Sequence, residues 1–223
     1  MHFDKVGFIG LGLIGGSIAR KMKENNPKVS IIATAGHQQT IDDAFGLGLI
    51  DNNELLELNS FKDCDVIFLC APVNKNIEYL TQLKDIIKDD CIITDVGSTK
   101  TQIHEKVIEL GLEHNFIGGH PMTGSEKTGI LNSDKQLLEN AYYIITPTAA
   151  TTEENLNNFR QFVLSLGSIA LILDYREHDH ATAAISHLPH MIAYSLVNLI
   201  EHIDSDSILY VRHKVKYINA NSF

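Results

Sequence analysis

The sequence predicts an α/β fold, a doubly wound and mostly parallel sheet followed by the start of an all-helical unit. Three observations predict it. Short apolar runs alternate with longer amphipathic ones through most of the chain. The first apolar run passes straight into a glycine-rich turn. After Asp174 the alternation stops and one long helical stripe replaces it. Near-continuous apolar strands separated by helices fit a parallel sheet covered on both faces, because each strand is then buried on both sides.

The strands are expected at residues 5–10, 29–33, 65–71, 91–95, 116–118, 142–146 and 169–173, and the helices between them at 15–24, 38–45, 75–87, 100–110 and 153–166. Pro72 closes the third strand, since it cannot donate to a ladder. Thr151-Thr152-Glu153-Glu154 reads as a helix start, with a hydroxyl cap and acids in the first turn. Residues 177–203 read as one long helix, broken or started near Pro189. Ile185, Leu188, Ile192, Leu196, Leu199 and Ile203 give it a wide apolar stripe that calls for a packing partner. The expected domains are therefore 1–174, carrying the sheet, and 175–223, a partial helical unit for substrate binding and dimerisation.

Composition narrows the class. The chain has 223 residues, 44% hydrophobic and 21% charged, with a formal net charge of −10. That balance suits a soluble globular protein and disfavours nucleic acid or an anionic membrane surface as partner. No apolar run is long enough to span a bilayer, and no signal peptide is visible, so a cytoplasmic location is expected. The three cysteines, Cys64, Cys70 and Cys91, lie in or beside expected strands and read as buried thiols of a reducing compartment.

The glycine turn is the first motif with chemistry. Gly10, Gly12 and Gly15 follow a strand and open a helix. The first lets the chain turn tightly, the second leaves room for a pyrophosphate, and the third lets helix and sheet pack closely. The helix N-terminus then offers N–H groups and a positive dipole end to the phosphates. This is the fingerprint of a Rossmann-type dinucleotide site, with Gly10, Gly12, Leu13, Ile14 and Gly15 as cofactor-binding residues. Ala71, Pro72 and Val73 belong to the loop after the neighbouring strand, where small residues admit a flat ring. The end of the second strand, Thr34-Ala35-Gly36-His37, lacks the acid that usually binds a ribose 2′-hydroxyl, and none occurs before Asp42. NAD and NADP both stay open, with Thr34 or His37 available to a phosphate.

Three further segments stand out. In Asp95-Val96-Gly97-Ser98-Thr99-Lys100, Ser98 or Thr99 is a natural helix cap, and a hydroxyl there could also orient a substrate. In Gly118-Gly119-His120-Pro121-Met122-Thr123, the glycines and proline predict a rigid exposed loop that fixes the imidazole without burying it. A neutral imidazole accepts a proton near physiological pH, so His120 is the candidate base. In Glu177-His178-Asp179-His180 and Ser186-His187-Leu188-Pro189-His190, the first two histidines read as solvated. His187 or His190 could face a substrate cleft. No spacing supports a metal site.

Taken together, GLGLIGGS at 10–17, DVGSTK at 95–100, GGHPMTGSEKTG at 118–129, ENAYYIITP at 139–147 and EHDHATAAISHLPH at 177–190 resemble the prephenate dehydrogenase family. The resemblance implies oxidative decarboxylation of prephenate to 4-hydroxyphenylpyruvate in tyrosine biosynthesis, with arogenate as the alternative substrate and hydride passing to NAD or NADP. It makes His120 the catalytic base and Ser98 the residue aligning it with the substrate hydroxyl. Thr123, His187 and His190 fall on the substrate side. It also implies a homodimer through the C-terminal helices.

The chain departs from the family pattern at Ala35, where an acid is expected, and after the SHLPH element. Relatives continue there through an arginine-bearing GGFRD-type segment, whereas Arg212, Lys214 and Lys216 match no family motif, so a truncation is expected. That departure motivates a second reading, a dinucleotide-binding remnant without turnover. A third, a β-hydroxyacid-type dehydrogenase, needs a helical-domain lysine that has no candidate.

Overall fold

Strand β1 (Lys5–Ile9) sits between β2 (Ser30–Thr34) and β3 (Val66–Leu69), with β4 (Ile92–Asp95) beyond β3, all parallel, in the computed structural model, which describes residues 3–201. The register aligns Thr34, Ile9, Leu69 and Asp95 in one row, so the four loops that follow them leave the same edge of the sheet. From β1 the chain goes first to one side and then to the other, which opens a crevice at the carboxyl ends of β1 and β3. Ligands of open α/β sheets bind at such a switch point.

Alternation along these strands feeds two cores. Val6, Phe8, Val66 and Phe68 face Ile18 and Met22 of α1 (Leu13–Asn25) and Phe159 and Phe162 of α5 (Glu153–Ser165). Phe8 and Phe68 stack at 4.9 Å. Ile9, Ile67, Leu69 and Ile93 face Leu80 and Leu83 of α3 (Val73–Leu83) and Ile103 and Val107 of α4 (Thr101–Leu110). Each such side chain contributes about 1.5–3 kcal/mol on burial. The fold is thus the doubly wound α/β architecture that the alternation of runs predicts. Thr152 caps α5, accepting from Asn155 N at 3.1 Å, with Glu153 and Glu154 in the first turn.

A second sheet of three strands, in the order β5-β6-β7, departs from parallel order. β5 (Ile117–Pro121) pairs antiparallel with β6 (Tyr142–Pro147), and β6 pairs parallel with β7 (Ile169–Ile172). The connection from β5 to β6 holds two short 3₁₀ turns, Ile130–Asn132 and Lys135–Leu138, instead of a crossover helix, so the chain comes back the other way. A single parallel bridge, Ile93 to Phe116, joins β4 to the segment entering β5.

At the β2 edge a dipeptide stands in for the next strand. Ile31 N donates to the Asp51 carboxylate at 2.9 Å, and Asp51 N donates to Ile31 O at 2.7 Å. The Asn52 amide then takes both main-chain groups of Ala33, each at 2.9 Å.

The chain divides into two compact units between His178 and Asp179. The helix expected over 177–203, broken or started near Pro189, is three consecutive pieces within the described residues: α6 (Tyr175–Thr182), a π-helical turn (Ala183–His187) and α7 (Leu188–Glu201). Pro189 has no N–H and its ring crowds the preceding turn, so the ladder slips there, with Leu188 N donating five residues back to Ala183 O. Leu188, Met191, Ile192, Leu196 and Leu199 are more than half exposed in this single chain. Ile203, the last residue of the expected stripe, lies outside the described residues, as do Arg212, Lys214 and Lys216. No described helix is long and apolar enough to cross a membrane.

Candidate active site

The glycine turn has the geometry that its spacing predicts. Gly10 has φ +86°, and a Cβ there would meet Ala71 N at 2.7 Å, a backbone atom that cannot yield. A Cβ on Gly15 would lie 3.1 Å from Cys70 Sγ, so helix and sheet pack closely at this point. A Cβ on Gly12 would meet nothing within 4 Å, which leaves open space at the helix mouth. Gly12 caps α1 without a side chain, no acid lies in the first turn, and the first intrahelical bond runs from Gly16 N to Gly12 O at 2.9 Å. The N–H groups of Leu13, Ile14 and Gly15 precede that bond. Open space, a positive dipole end and the absence of competing acids suit a pyrophosphate.

Thr34 ends β2 beside this loop, and its carbonyl accepts from Gly10 N at 2.9 Å. Ala71 and Pro72 lead into α3, which starts at Val73. Buried Asn76 ties this loop down, accepting from Ala71 N and donating to Leu69 O, both at 3.2 Å. The β1 and β3 loops therefore flank the switch-point crevice as expected. The end of β2 carries no acid, and His37 is exposed there as the cap of α2 (Gln38–Gly46) without a side-chain capping bond.

His120 is not on an exposed loop. It is the fourth residue of β5 and buried, paired opposite Ile144 of β6. The glycines before it serve close packing rather than loop flexibility. A Cβ on Gly118 would lie 2.2 Å from Thr146 Oγ1 and 2.8 Å from His104 Nε2, and one on Gly119 would lie 2.7 Å from Asp95 O. Residues 175–178, the first turn of α6, lie along this face. Tyr175 stacks on His104 with ring centroids 4.4 Å apart, and one turn later His178 Nε2 meets His120 Nδ1 at 2.8 Å. Asp174 starts the helix, accepting from Arg176 N at 2.8 Å and from Glu177 N at 3.3 Å.

His178 is the functional candidate that sequence reasoning missed. It reads there as solvated, yet it is fully buried. The available signal was its spacing from Asp174 and Tyr175, which places it inward on the first turn of a capped helix. The contact restricts the chemistry of His120. One proton lies between the two ring nitrogens, because two N–H groups cannot face each other at this distance. When His178 accepts, His120 carries its proton on Nδ1 and leaves Nε2 as a proton acceptor.

A buried ion pair lies beside the dyad. Lys100 Nζ bonds the Asp95 carboxylate and also donates to Gly119 O at 2.8 Å. The carboxylate accepts from Gly97 N at 2.9 Å and from Gly119 N at 3.2 Å. Lys100, not Ser98 or Thr99, is the cap residue of α4, and its side chain turns inward to Asp95. Ser98 is exposed on the loop between these partners. Tyr143 and Cys70 are pushed above their ordinary pKa values, by burial first and then by neighbouring negative charge that includes Asp95.

The remaining candidates are distributed as follows. Thr123 lies just beyond β5, its hydroxyl donating to Leu137 O at 2.9 Å. His187 and His190 belong to the second unit and are exposed, and His190 Nδ1 donates to Ser186 O at 2.8 Å. Among the described residues no group of three His, Cys, Asp or Glu side chains could hold a metal ion.

Comparison with known proteins gives the family. Residues 18–171 match the family described as "Prephenate dehydrogenase, nucleotide-binding domain", and residues 174–215 match "Prephenate dehydrogenase, dimerization domain". A prephenate dehydrogenase of Lactococcus lactis is 36% identical over 98% of this chain and 59% of its own length. One from Bacillus subtilis is 34% identical over 91% of this chain and 55% of its own length. The chain thus spans a little over half the length of these curated relatives. A crystal structure of prephenate dehydrogenase from A. aeolicus, in complex with hydroxyphenyl propionate and NAD+, superposes with a TM-score of 0.88 at 27% identity, over 99% of this chain and 79% of that one. With a family match over most of its residues and relatives alike along nearly its whole length, the chain belongs to the prephenate dehydrogenase family.

Proposed function

We propose that this protein oxidises and decarboxylates prephenate to 4-hydroxyphenylpyruvate with NAD as hydride acceptor, acting as a homodimer. The observation that carries the reading is the buried His120–His178 pair, 2.8 Å apart, in a chain whose glycine turn leaves the mouth of α1 open. NAD is favoured because the similar A. aeolicus enzyme was solved with NAD+, and the dimer because residues 174–215 match a dimerization domain.

The N–H groups of Leu13, Ile14 and Gly15 would hold the pyrophosphate, with Gly12 leaving it space, while Thr34 and the Ala71-Pro72-Val73 turn would flank the ribose and ring. A nicotinamide held there would supply the hydride acceptor for the ring carbon that bears the hydroxyl. His120 Nε2 takes the hydroxyl proton as that carbon becomes a carbonyl. His178 holds the tautomer that makes this possible, and the Nδ1–H bond strengthens as His120 gains charge. Ser98 aligns the hydroxyl with His120. The bond to the ring carboxylate then breaks, CO2 leaves, and its electron pair aromatises the ring. The phenolate oxygen regains the proton from His120. Thr123, His187 and His190 are assigned to the substrate side.

The test crosses prephenate and arogenate with NAD and NADP on the full chain, alongside His120→Asn. Prephenate-dependent formation of reduced cofactor, lost in the variant, supports the reading. Turnover unchanged by the variant removes His120 as the base. Arogenate is the second reading, because a Synechocystis arogenate dehydrogenase superposes with a TM-score of 0.80 at 31% identity, over 98% of this chain and 78% of that one. Cofactor binding without turnover on either substrate would select the remnant reading instead.

A further inference from the structure

We propose that the buried Asp95–Lys100 pair is a positioning clamp that sets His120 against the Ser98 loop, an inference that rests on the reading of His120 as the base. Parallel neighbours are ordinarily tied by a backbone ladder. Beyond the single bridge at Ile93 and Phe116 the named pairings of β4 and β5 stop, just before the two strands reach their candidate catalytic residues. There the side chains of the ion pair take over. The carboxylate of Asp95 holds Gly119 N, and the ammonium of Lys100 holds Gly119 O. Both main-chain groups of the residue preceding His120 are thus gripped by side chains from the other strand's loop.

The same carboxylate holds Gly97 N at 2.9 Å. The loop bearing Ser98 is therefore pinned at both ends, by Asp95 with Gly97 on one side and by Lys100 on the other. One ion pair fixes the loop and the histidine strand to each other. Asp95 and Lys100 are both fully buried. Such a pair is weak evidence for stability, because its desolvation cost offsets much of its attraction. Its geometric effect is the better account of a lysine at this buried position. Gly119 is required as well, since a Cβ on it would meet Asp95 O at 2.7 Å and push the strands apart.

Lys100 acts through Gly119 and touches no reacting atom, so the clamp should act on turnover rather than on cofactor binding. Lys100→Met alone leaves a buried carboxylate without its cation and risks unfolding. The informative variant is therefore the charge-neutral double Asp95→Asn/Lys100→Met, measured on the full chain. We expect it to fold with unchanged NAD affinity by calorimetry and a near-parent KM for prephenate. Its kcat should fall on the order of tenfold to a hundredfold, as expected for slight misplacement of a reacting group. Amide hydrogen exchange supplies a readout that does not need turnover. The amides of residues 96–99 and of Gly119 and His120 should exchange faster together, with the strands β1 and β3 unchanged.

A double variant with parent kcat overturns the proposal, and so does one whose exchange rises in neither segment or in only one. If the parent itself turns over neither prephenate nor arogenate, the functional reading fails, and the exchange measurement alone decides on the clamp.

Discussion

Replacing His178 with phenylalanine tests the dyad directly. The ring keeps its place on the inner face of α6, so the packing along β5 is largely retained while the partner of His120 Nδ1 is removed. The 2.8 Å bond is buried, and leaving a buried polar group without its partner costs about 1–3 kcal/mol. That cost falls mainly on the state in which His120 is charged, because the imidazolium must then hold an N–H against an apolar ring. At 1.36 kcal/mol per factor of ten, kcat should fall roughly 5- to 150-fold. KM for prephenate and Kd for NAD should change little. His178→Gln supplies an amide near the position of Nε2 and should recover part of the loss. The assay is initial-rate formation of reduced nicotinamide, with thermal unfolding of each variant as control. A phenylalanine variant with parent kcat and parent Tm would refute the role given to His178, and equal kcat in the two variants would refute the hydrogen-bond argument.

Three other outcomes are expected. Gly12→Ala should cost no more than about 1 kcal/mol at this cap position, since its Cβ meets nothing within 4 Å, yet should weaken NAD binding strongly by filling the helix mouth; calorimetry beside thermal unfolding separates the two. Burial pushes the Asp65 carboxyl up, but bonds from Lys88 Nζ, Lys5 N and Asp4 N outweigh it and hold the group below the ordinary carboxylate range. Its folded pKa is therefore depressed, so the stability it contributes is complete above about pH 4 and is lost as pH falls through the folded value. Asp65→Asn should accordingly cost about 2 kcal/mol in urea unfolding at neutral pH, a gap that closes in acid. Cys64 and Cys91 are pushed up to about 12, by burial first, so neither thiol should react with a disulfide reagent near pH 8 until the protein is unfolded.

The parts of the fold legible in the sequence are those set by local pattern. Val66 to Leu69 is apolar at every position because both its faces are covered, and Gly10 reads as a turn because only a residue tolerant of positive φ fits there. The segment around His120 was not legible for a converse reason. Glycine, glycine and proline are poor strand formers in isolation, and what makes them a strand is tertiary: β6 supplies the ladder, and His104, Thr146 and Asp95 leave no room for side chains. The inward placement of His178 depends on the same packing. Ser98 or Thr99 is the cap that hydroxyl chemistry predicts, but Lys100 holds that position, with its side chain bonded to the Asp95 carboxylate five residues back. Local chemistry thus located the glycine turn and the candidate base, while the groups that orient the base are brought to it only by the folded chain.

The Asp51-Asn52 dipeptide along β2 limits how wide this sheet can become. A border strand with unfilled main-chain positions would recruit another chain, and fibrillar stacking begins that way. Here the outward positions of Ile31 and Ala33 are already occupied by side-chain and main-chain groups of the chain's own next segment. An incoming strand would have to displace them one by one. Self-association of this protein is thereby steered away from that border and left to other surfaces.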